Sequence, residues 1–222
     1  MHLQIKRLGA VKLKIKEVLC KNQFKKINPE IIAVSKNFSK NEIIPLIENG
    51  HIHFGENKIQ EAEQKWPEIK SKFSHIKLHM VGKLQSNKAK KAVELFDFIH
   101  SLDSIKLANK ISQFENLLNK KIKLFIQVNL GQEDQKAGIS VKELDYFYNY
   151  CIKNLSLNVI GLMCLPPHNE NPNEYFKTLK KLSDHLSLKE LSMGMSDDYL
   201  CAINYNATFL RIGTLIFGPR KS

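Results

Sequence analysis

Arginine is scarce in this 222-residue sequence, and the net charge of +12 therefore comes almost entirely from lysine. The only arginines are Arg7, Arg211 and Arg220. Planar recognition of bases and phosphates usually enlists arginine, and no basic stripe here alternates with aromatic residues. The lysines are spread along the whole chain, which is typical of a biased composition rather than of a binding face. We therefore expect no nucleic-acid partner.

Cysteine is also scarce, and the four cysteines are too far apart to form a CxxC pair. No histidine spacing completes a zinc site, so we expect no metal and free thiols in a reducing compartment. Residues 1–16 lack the apolar core of a signal peptide and predict an amphipathic helix over about 8–20, although an organelle transit role stays open. No apolar run is long enough to cross a membrane. We expect a cytoplasmic protein, and a monomer because no exposed apolar stripe requires a partner.

The sequence does contain a repeated pattern of short apolar strands, each followed by polar residues or glycine and then by a helical stretch. Eight strands are predicted, at 31–36, 52–54, 76–81, 98–100, 123–129, 158–163, 190–193 and 208–211. The predicted helices between them cover 42–48, 58–66, 87–95, 104–118, 141–152, 173–186 and 197–204. This alternation predicts an α/β fold, a (β/α)₈ TIM barrel over about 31–217 in a single domain of residues 1–222. A doubly wound open sheet is the alternative.

The first predicted strand, Ile31-Ile32-Ala33-Val34-Ser35-Lys36, ends in a lysine. Its short apolar run fits a strand that is buried on both faces. In a barrel, the carboxyl ends of the strands open onto the face that carries the active site. A lysine that follows a dry strand loses its proton more easily than a surface lysine and can attack a carbonyl carbon. Lys36 is therefore a candidate for Schiff-base formation, and a solvated loop lysine is the alternative.

Polar residues and glycines also end the other predicted strands. The residues at these strand ends are Gly55, Asn57, Gly82, Gln85, His100, Asn129, Ser196, Arg211, Gly213 and Thr214, with Met163 as the one apolar member. A single glycine after a strand usually only allows a turn. We expect His100 to be a hydrogen-bonded structural histidine rather than a catalytic base.

The last two strand ends predict a phosphate site. TIM barrels commonly hold a phosphate with the loops after strands seven and eight, through backbone N–H groups and a helix N-terminus. Ser196 is predicted at such a helix start, and Gly213 and Thr214 follow the eighth strand. A plain N-cap and a loop hydroxyl are the alternatives for Ser196 and Thr214. Arg211 ends a buried strand beside this site, so it needs either a ligand acceptor or a carboxylate such as Glu56 or Asp197.

A Schiff-base lysine, a phosphate site and a guanidinium on one barrel rim suit two types of ligand. One is the carbonyl of a sugar phosphate, as in a Schiff-base aldolase. The other is pyridoxal 5′-phosphate, whose aldehyde would bind Lys36.

The motifs at these strand ends, taken in order, resemble those of a known family. They are Ala33-Val34-Ser35-Lys36, Phe54-Gly55-Glu56-Asn57, His79-Met80-Val81-Gly82-Lys83-Leu84-Gln85-Ser86-Asn87-Lys88, Gly161-Leu162-Met163, Ser192-Met193-Gly194-Met195-Ser196-Asp197-Asp198 and Arg211-Ile212-Gly213-Thr214. From about Leu8 to Arg220, the chain resembles the pyridoxal phosphate homeostasis proteins (the YggS-like group). The one departure is Lys58, where the resemblance implies an aromatic or similar residue.

This resemblance implies a barrel similar to the N-terminal domain of alanine racemase, with pyridoxal 5′-phosphate bound as a Schiff base on Lys36. It also implies that Ser196, Gly213 and Thr214 hold the phosphate. By the same resemblance, Arg211 faces the pyridine nitrogen. Asn57 is implied to line the pocket.

These implied contacts bear on activity. An arginine keeps the ring nitrogen unprotonated, which weakens the ring as an electron sink, and racemization needs an acid–base group on each face of the substrate. In alanine racemase an additional C-terminal domain supplies the second group, whereas this chain ends at Ser222. We therefore expect a protein of vitamin B6 homeostasis without catalytic residues or turnover of its own. A PLP-dependent, racemase-like enzyme is the alternative, and apo forms of PLP-dependent enzymes stay open as partners.

Overall fold

The structure, a computed structural model, describes residues 2–21, 27–131, 137–167 and 169–219. The strands are β1 (Glu30–Val34), β2 (His53–Glu56), β3 (Lys77–Met80), β4 (Phe98–Leu102), β5 (Lys123–Asn129), β6 (Ile139–Ser140), β7 (Val159–Met163), β8 (Glu190–Met195) and β9 (Phe209–Ile212). The α-helices are α1 (Leu3–Lys21), α2 (Lys40–Glu48), α3 (Ile59–Lys72), α4 (Ala89–Leu95), α5 (Ile105–Leu118), α6 (Leu144–Asn149), α7 (Pro172–His185), α8 (Tyr199–Ile203) and α9 (Thr214–Phe217). A π-helical turn, Tyr150–Asn154, continues α6.

Eight of these strands form a closed parallel barrel. The order around it is β1, β2, β3, β4, β5, β7, β8 and β9, and β9 pairs with β1. The pairing of β4 with β5 closes the ring, which an open doubly wound sheet does not do. The short strand β6 pairs only with β5 in the part of the chain described. The predicted (β/α)₈ barrel is therefore confirmed.

Successive residues of a strand point to opposite faces, so the barrel has two separate buried regions. We call the space enclosed by the strands the barrel interior. Its apolar residues are Ile32, Val34, Phe98, Phe125, Met163 and Phe209. We call the space between the strands and the surrounding helices the outer layer, which holds the larger hydrophobic cluster, with Phe54, Leu78 and Ile99 among its members.

The predicted strands and most predicted helices are observed within a few residues of their expected bounds. The predicted end of the third helix at Pro67 is wrong, because α3 continues to Lys72. Trp66 precedes Pro67 and Ile69 follows it, and both side chains are buried. Their packing outweighs the roughly 3 kcal/mol that an interior proline costs a helix. The short elements β6 and α9 were not predicted.

Other expectations concern the chain ends and the cysteines. Arg220 and the ends of the predicted 1–222 domain lie outside the described residues. All four cysteines are free thiols, as predicted. None of the helices in the described ranges is both long and apolar enough to cross a membrane.

Candidate functional site

A cleft of about 380 Å³ opens at the carboxyl ends of the barrel strands. Six residues predicted as a binding site line it together, namely Lys36, Asn57, Ser196, Arg211, Gly213 and Thr214. Gly82 lines it as well. Gly55, Gln85, His100, Asn129 and Met163 are not among its lining residues, so the structure brings together only part of the predicted strand ends. Lys58 does not line it either.

The loop that carries Lys36 is held from behind by a lysine of α3. The Nζ of Lys65 donates hydrogen bonds to the backbone oxygens of Ser35 at 3.0 Å and of Phe38 at 3.2 Å. Phe38 in turn stacks on Phe217 of α9, with 4.8 Å between the ring centroids. The backbone on both sides of Lys36 is therefore anchored, and Lys36 itself is half-buried.

The cation of Lys65 is paired with a carboxylate that is fully buried. Glu56 Oε1 lies 2.8 Å from Lys65 Nζ and also accepts hydrogen bonds from Ser35 Oγ at 2.7 Å and Trp66 Nε1 at 3.0 Å. Burial raises the pKa of Glu56, while the Lys65 charge and these hydrogen bonds act in the opposite direction. These contacts of Glu56 link the ends of β1 and β2 to α3 directly beneath the cleft.

The opposite side of the cleft is built by the segments after β8 and β9. Gly194 has φ of +89°, and a Cβ there would lie 2.7 Å from the Cβ of Ala202, so this position requires glycine. Ser196 was predicted at the start of a helix, but α8 begins three residues later, with Asp198 as its N-cap. The carboxylate of Asp198 accepts a hydrogen bond from the Met195 backbone N–H at 2.6 Å. Ser196 therefore lies in a tight turn rather than at an N-cap.

Arg211 is the most deeply buried cation that lines the cleft, with 4 % of its surface exposed. Its Nη1 donates to Ser192 Oγ at 2.7 Å, and its Nη2 donates to the backbone oxygen of Cys164 at 2.9 Å. Burial lowers the pKa of Arg211 from its ordinary value. The carboxylates predicted as alternative partners, Glu56 and Asp197, form no hydrogen bond to this guanidinium in the part of the chain described.

A chain of three buried histidines continues from Ser192 through the barrel interior. His100 Nδ1 lies 2.7 Å from Ser192 Oγ, His79 Nδ1 lies 2.9 Å from His100 Nε2, and His53 Nδ1 lies 2.8 Å from His79 Nε2. His100 is thus buried and hydrogen-bonded, as predicted. The other two were not singled out, although each occupies an inward-facing position near the start or middle of consecutive strands.

The residues of the cleft fit a ligand that carries an aldehyde and a phosphate. Lys36 supplies an amine, Arg211 a guanidinium, and Ser196 and Thr214 supply hydroxyls. Asn57 lines the same cleft, and its Oδ1 is buried without a hydrogen-bond donor among the described residues. A buried amide oxygen without a donor is available to accept a hydrogen bond from a ligand or a water molecule. The volume is that of a small-molecule pocket.

Comparison with known proteins adds sequence relatives along most of the chain. Residues 14–221 match the family of the alanine racemase N-terminal domain. A pyridoxal phosphate homeostasis protein of Aquifex aeolicus is 36% identical over 203 residues, which cover 86% of this chain and 87% of that protein. The protein of the same name from Escherichia coli K12 is 33% identical over 201 residues, which cover 86% of this chain and 85% of that protein.

Solved structures similar to this one include PipY of Synechococcus elongatus with PLP bound. Its TM-score is 0.80 at 35% identity, and the match covers 92% of this chain and 100% of PipY. PipY without PLP has a TM-score of 0.82. Alanine racemase of Clostridium difficile has a TM-score of 0.72 at 13% identity, over 99% of this chain and 57% of the racemase. At that identity the likeness concerns the fold alone.

Proposed function

Because the chain belongs to the family of pyridoxal phosphate homeostasis proteins, as its motifs predicted, we propose that it binds pyridoxal 5′-phosphate and serves vitamin B6 homeostasis. The observation that carries this proposal is the gathering of an amine, a buried guanidinium and two hydroxyls around one cleft. That PipY was solved with PLP bound supports the choice of this ligand over a sugar phosphate.

Each lining residue has a role in the proposed complex. Lys36 binds the cofactor covalently, since the cofactor supplies an aldehyde that forms a Schiff base with a lysine amine. Ser196, Gly213 and Thr214 hold the phosphate with hydroxyl and backbone N–H groups. Arg211 faces the pyridine nitrogen. Asn57 lines the pocket and offers its orphaned Oδ1 as a hydrogen-bond acceptor.

In this proposal the protein carries the cofactor and catalyses no reaction of its own. A guanidinium beside the ring nitrogen disfavours its protonation, because two positive charges in contact repel each other. No tyrosine or histidine is among the cleft-lining residues of the described ranges, and Asp197 is the single carboxylate there. The observed lining therefore offers only Asp197 as a candidate for the second acid–base group that racemization requires. Conversion of an L-amino acid to its D form by the purified protein would instead favour the racemase-like alternative.

The proposal extends to how the protein works in the cell. We propose a cytoplasmic monomer that buffers the cofactor and delivers it to apo forms of PLP-dependent enzymes. The molar mass of the purified holoprotein in solution, measured by light scattering, tests whether it is a monomer. Activation of an apo enzyme by the loaded protein, faster than by the same concentration of cofactor released into solution, tests direct delivery.

The experiment that tests cofactor binding is the visible absorption spectrum before and after borohydride reduction. We expect a yellow wild-type protein whose visible band disappears on reduction, and a colourless Lys36→Ala variant. Lys83→Ala is the matched control, because Lys83 also follows a barrel strand but is exposed and lies outside the cleft lining. It should stay yellow.

Two outcomes would contradict the proposal. If wild type stays colourless after incubation with pyridoxal phosphate, the cofactor is wrong. Borohydride trapping only in the presence of a sugar phosphate would then support the aldolase. If Lys36→Ala keeps a borohydride-sensitive band, the cofactor is held by another lysine.

A further inference from the structure

The hydrogen bonds of Arg211 continue without a break through the barrel interior. They run from the guanidinium to Ser192 Oγ, then through His100 and His79 to His53, with successive distances of 2.7, 2.7, 2.9 and 2.8 Å. Phe98 stacks on His79 and Phe125 stacks on His100, with centroid distances of 4.2 and 4.3 Å. The four linking side chains are all buried, which leaves little freedom for another arrangement.

The far end of this hydrogen-bonded series lies near a half-exposed carboxylate at the opposite face of the barrel, at a distance too long for a hydrogen bond. Glu30 Oε2 lies 3.7 Å from His53 Nε2. Glu30 is the first residue of β1, and Lys36 follows the other end of the same strand. The connected groups therefore span the barrel from the amino end of its strands to the cleft.

Donor and acceptor requirements assign a direction to this chain. Arg211 can only donate, so Ser192 Oγ accepts from it and is left with its own hydroxyl proton. The described residues contain no acceptor for that proton other than His100 Nδ1. His100 must then carry its proton on Nε2 and donate to His79 Nδ1. The same argument places the proton of His79 on Nε2, facing His53 Nδ1.

The opposite direction is unfavourable at both ends. It would make Ser192 Oγ accept two hydrogen bonds while its own proton had no partner. It would also turn the Nε2 lone pair of His53 toward the Glu30 carboxylate. With protons on Nε2 throughout, His53 instead points an N–H at that carboxylate.

This direction suits a buried arginine without a directly bound carboxylate. The lone-pair ends of three imidazoles point toward the guanidinium, and their N–H ends point toward Glu30. All three rings are neutral at pH 7, because burial lowers the pKa of His79 and His100 well below 6.5, and burial with the Lys77 and Lys123 charges lowers that of His53 to about 4. In a low-dielectric interior such aligned dipoles reinforce one another.

We propose that Ser192, His100, His79 and His53 are positioning residues that hold the Arg211 guanidinium in one orientation, with the Glu30 carboxylate near the far end of the series. Arg211 thus presents a fixed edge to the cleft. The inference about ligand affinity rests on the proposed cofactor function, whereas the inference about proton positions does not depend on any ligand.

The proton positions are measured on the ligand-free protein by ¹⁵N NMR of labelled histidine. We expect three neutral imidazoles that carry their proton on Nε2. A proton on Nδ1 of His100 or His79, or a charged ring at pH 7, would overturn the proposed direction. This outcome is decided even if pyridoxal phosphate does not bind.

The hydrogen-bonded connection to Arg211 is tested with variants at two of the linking residues. Ser192→Ala and His79→Leu should shift the guanidinium ¹⁵N resonance of Arg211, which is assignable because the chain has only three arginines. Both should also weaken pyridoxal phosphate binding about tenfold. His79→Gln keeps an acceptor and a donor on one side chain, so it should retain most of the wild-type affinity and resonance position.

The matched control is His185→Gln, which changes an exposed histidine paired with Asp145 outside the barrel. It should leave the Arg211 resonance and the affinity unchanged. Wild-type affinity and an unmoved Arg211 resonance in folded His79→Leu would overturn the positioning role. Absence of binding by wild type would refute the proposed cofactor function instead, while the Arg211 resonance in the variants would still test the positioning role.

Discussion

The barrel interior and the outer layer are both buried, but they are stabilised by different kinds of interaction. The outer layer is mainly aliphatic and aromatic packing between strands and helices. The barrel interior holds a directional series of hydrogen bonds through His53, His79, His100 and Ser192 to Arg211. Apolar packing is non-directional and tolerates many residue combinations, whereas a buried polar network requires every partner. Ligand binding is therefore expected to depend mainly on the barrel interior, whereas both regions contribute to stability, the barrel interior in a pH-dependent way.

The outer layer becomes polar where it supports the cleft. There the buried Glu56–Lys65 pair holds the backbone on both sides of Lys36. Polar groups are thus buried on both sides of the strand ends near the cleft, and the rest of the outer layer is predominantly apolar.

Lowering the pH should produce the largest loss of stability, because the barrel interior keeps its histidines neutral. Burial, with the charges of Lys77 and Lys123, lowers the pKa of His53 from 6.5 to about 4. In the unfolded chain His53 takes up a proton near pH 6.5, so the unfolded state binds more protons and the free energy of unfolding falls between pH 6.5 and 4. His53 alone contributes about 3 kcal/mol, and His79 and His100 act in the same direction.

Urea unfolding at intervals between pH 7 and pH 4 measures this loss. The His53→Gln variant, which cannot titrate, should lose less stability than wild type over that range. A free energy of unfolding that stays constant from pH 7 to pH 4 would contradict neutral burial of the histidines.

In the outer layer, Phe54→Ala should lower the free energy of unfolding by about 3–5 kcal/mol. Phe54 is fully buried and packs against Trp66, with 5.3 Å between the ring centroids. Urea unfolding at pH 7 measures the change. Leu117→Ala is the control on the outer surface, since Leu117 is 67 % exposed and should change stability by no more than about 0.5 kcal/mol. If the folded Phe54→Ala variant lost cofactor affinity while stability was unchanged, the division between the two regions would be wrong.

Removing the cation beneath the cleft by Lys65→Met should lower the free energy of unfolding by about 3 kcal/mol at pH 7. Glu56 would then be a buried carboxylate without its ion-pair partner, so its pKa, already raised by burial, would rise further. The deficit relative to wild type should shrink as the pH falls, because protonated Glu56 needs no cation. The double variant Lys65→Met/Glu56→Gln should recover most of the loss. A deficit that is independent of pH would argue against an uncompensated carboxylate.

The smallest effect is expected at the exposed surface of α1. Gly9→Ala should raise the free energy of unfolding by about 0.5–1 kcal/mol, because alanine favours a helix interior and a Cβ at Gly9 meets no atom within 4 Å. Gly50→Ala provides the contrast. That position is equally open but has φ of +81°, so the variant should have a lower free energy of unfolding than wild type. Thermal or urea unfolding of both variants measures the difference. Equal effects at the two positions would contradict the assigned backbone conformations.

The sequence predicted a feature well where that feature depends on one strand and the residues that follow it. The apolar run of β1 predicted a buried strand ending before Lys36, and the polar residues after β8 and β9 predicted the other side of the cleft. The place of Ser196 relative to α8 was less predictable, because the hydrogen bond from Met195 N–H to Asp198 precedes a helix that begins only at Tyr199. The predicted third helix is too short, because Pro67 disfavours a helix locally whereas the burial of Trp66 and Ile69 is a tertiary effect.

The histidine chain shows what local patterns cannot supply. His53, His79 and His100 belong to three strands, and Ser192 lies 92 residues beyond His100. The strand pattern places each of them on the inner face, but nothing local sets the distances between them. The same holds for the protein partners of Arg211, for which a carboxylate was the predicted alternative to a ligand acceptor, and which are a serine hydroxyl and a backbone oxygen.

The sequence by itself determined the barrel, the face on which its cleft opens and six of the residues that line it, because strand periodicity and the residues after each strand are local properties. Only the tertiary structure decided how Lys36 and Arg211 are held. Barrel closure brings residues from distant strands within hydrogen-bonding distance, and burial then requires each of their polar atoms to find a partner.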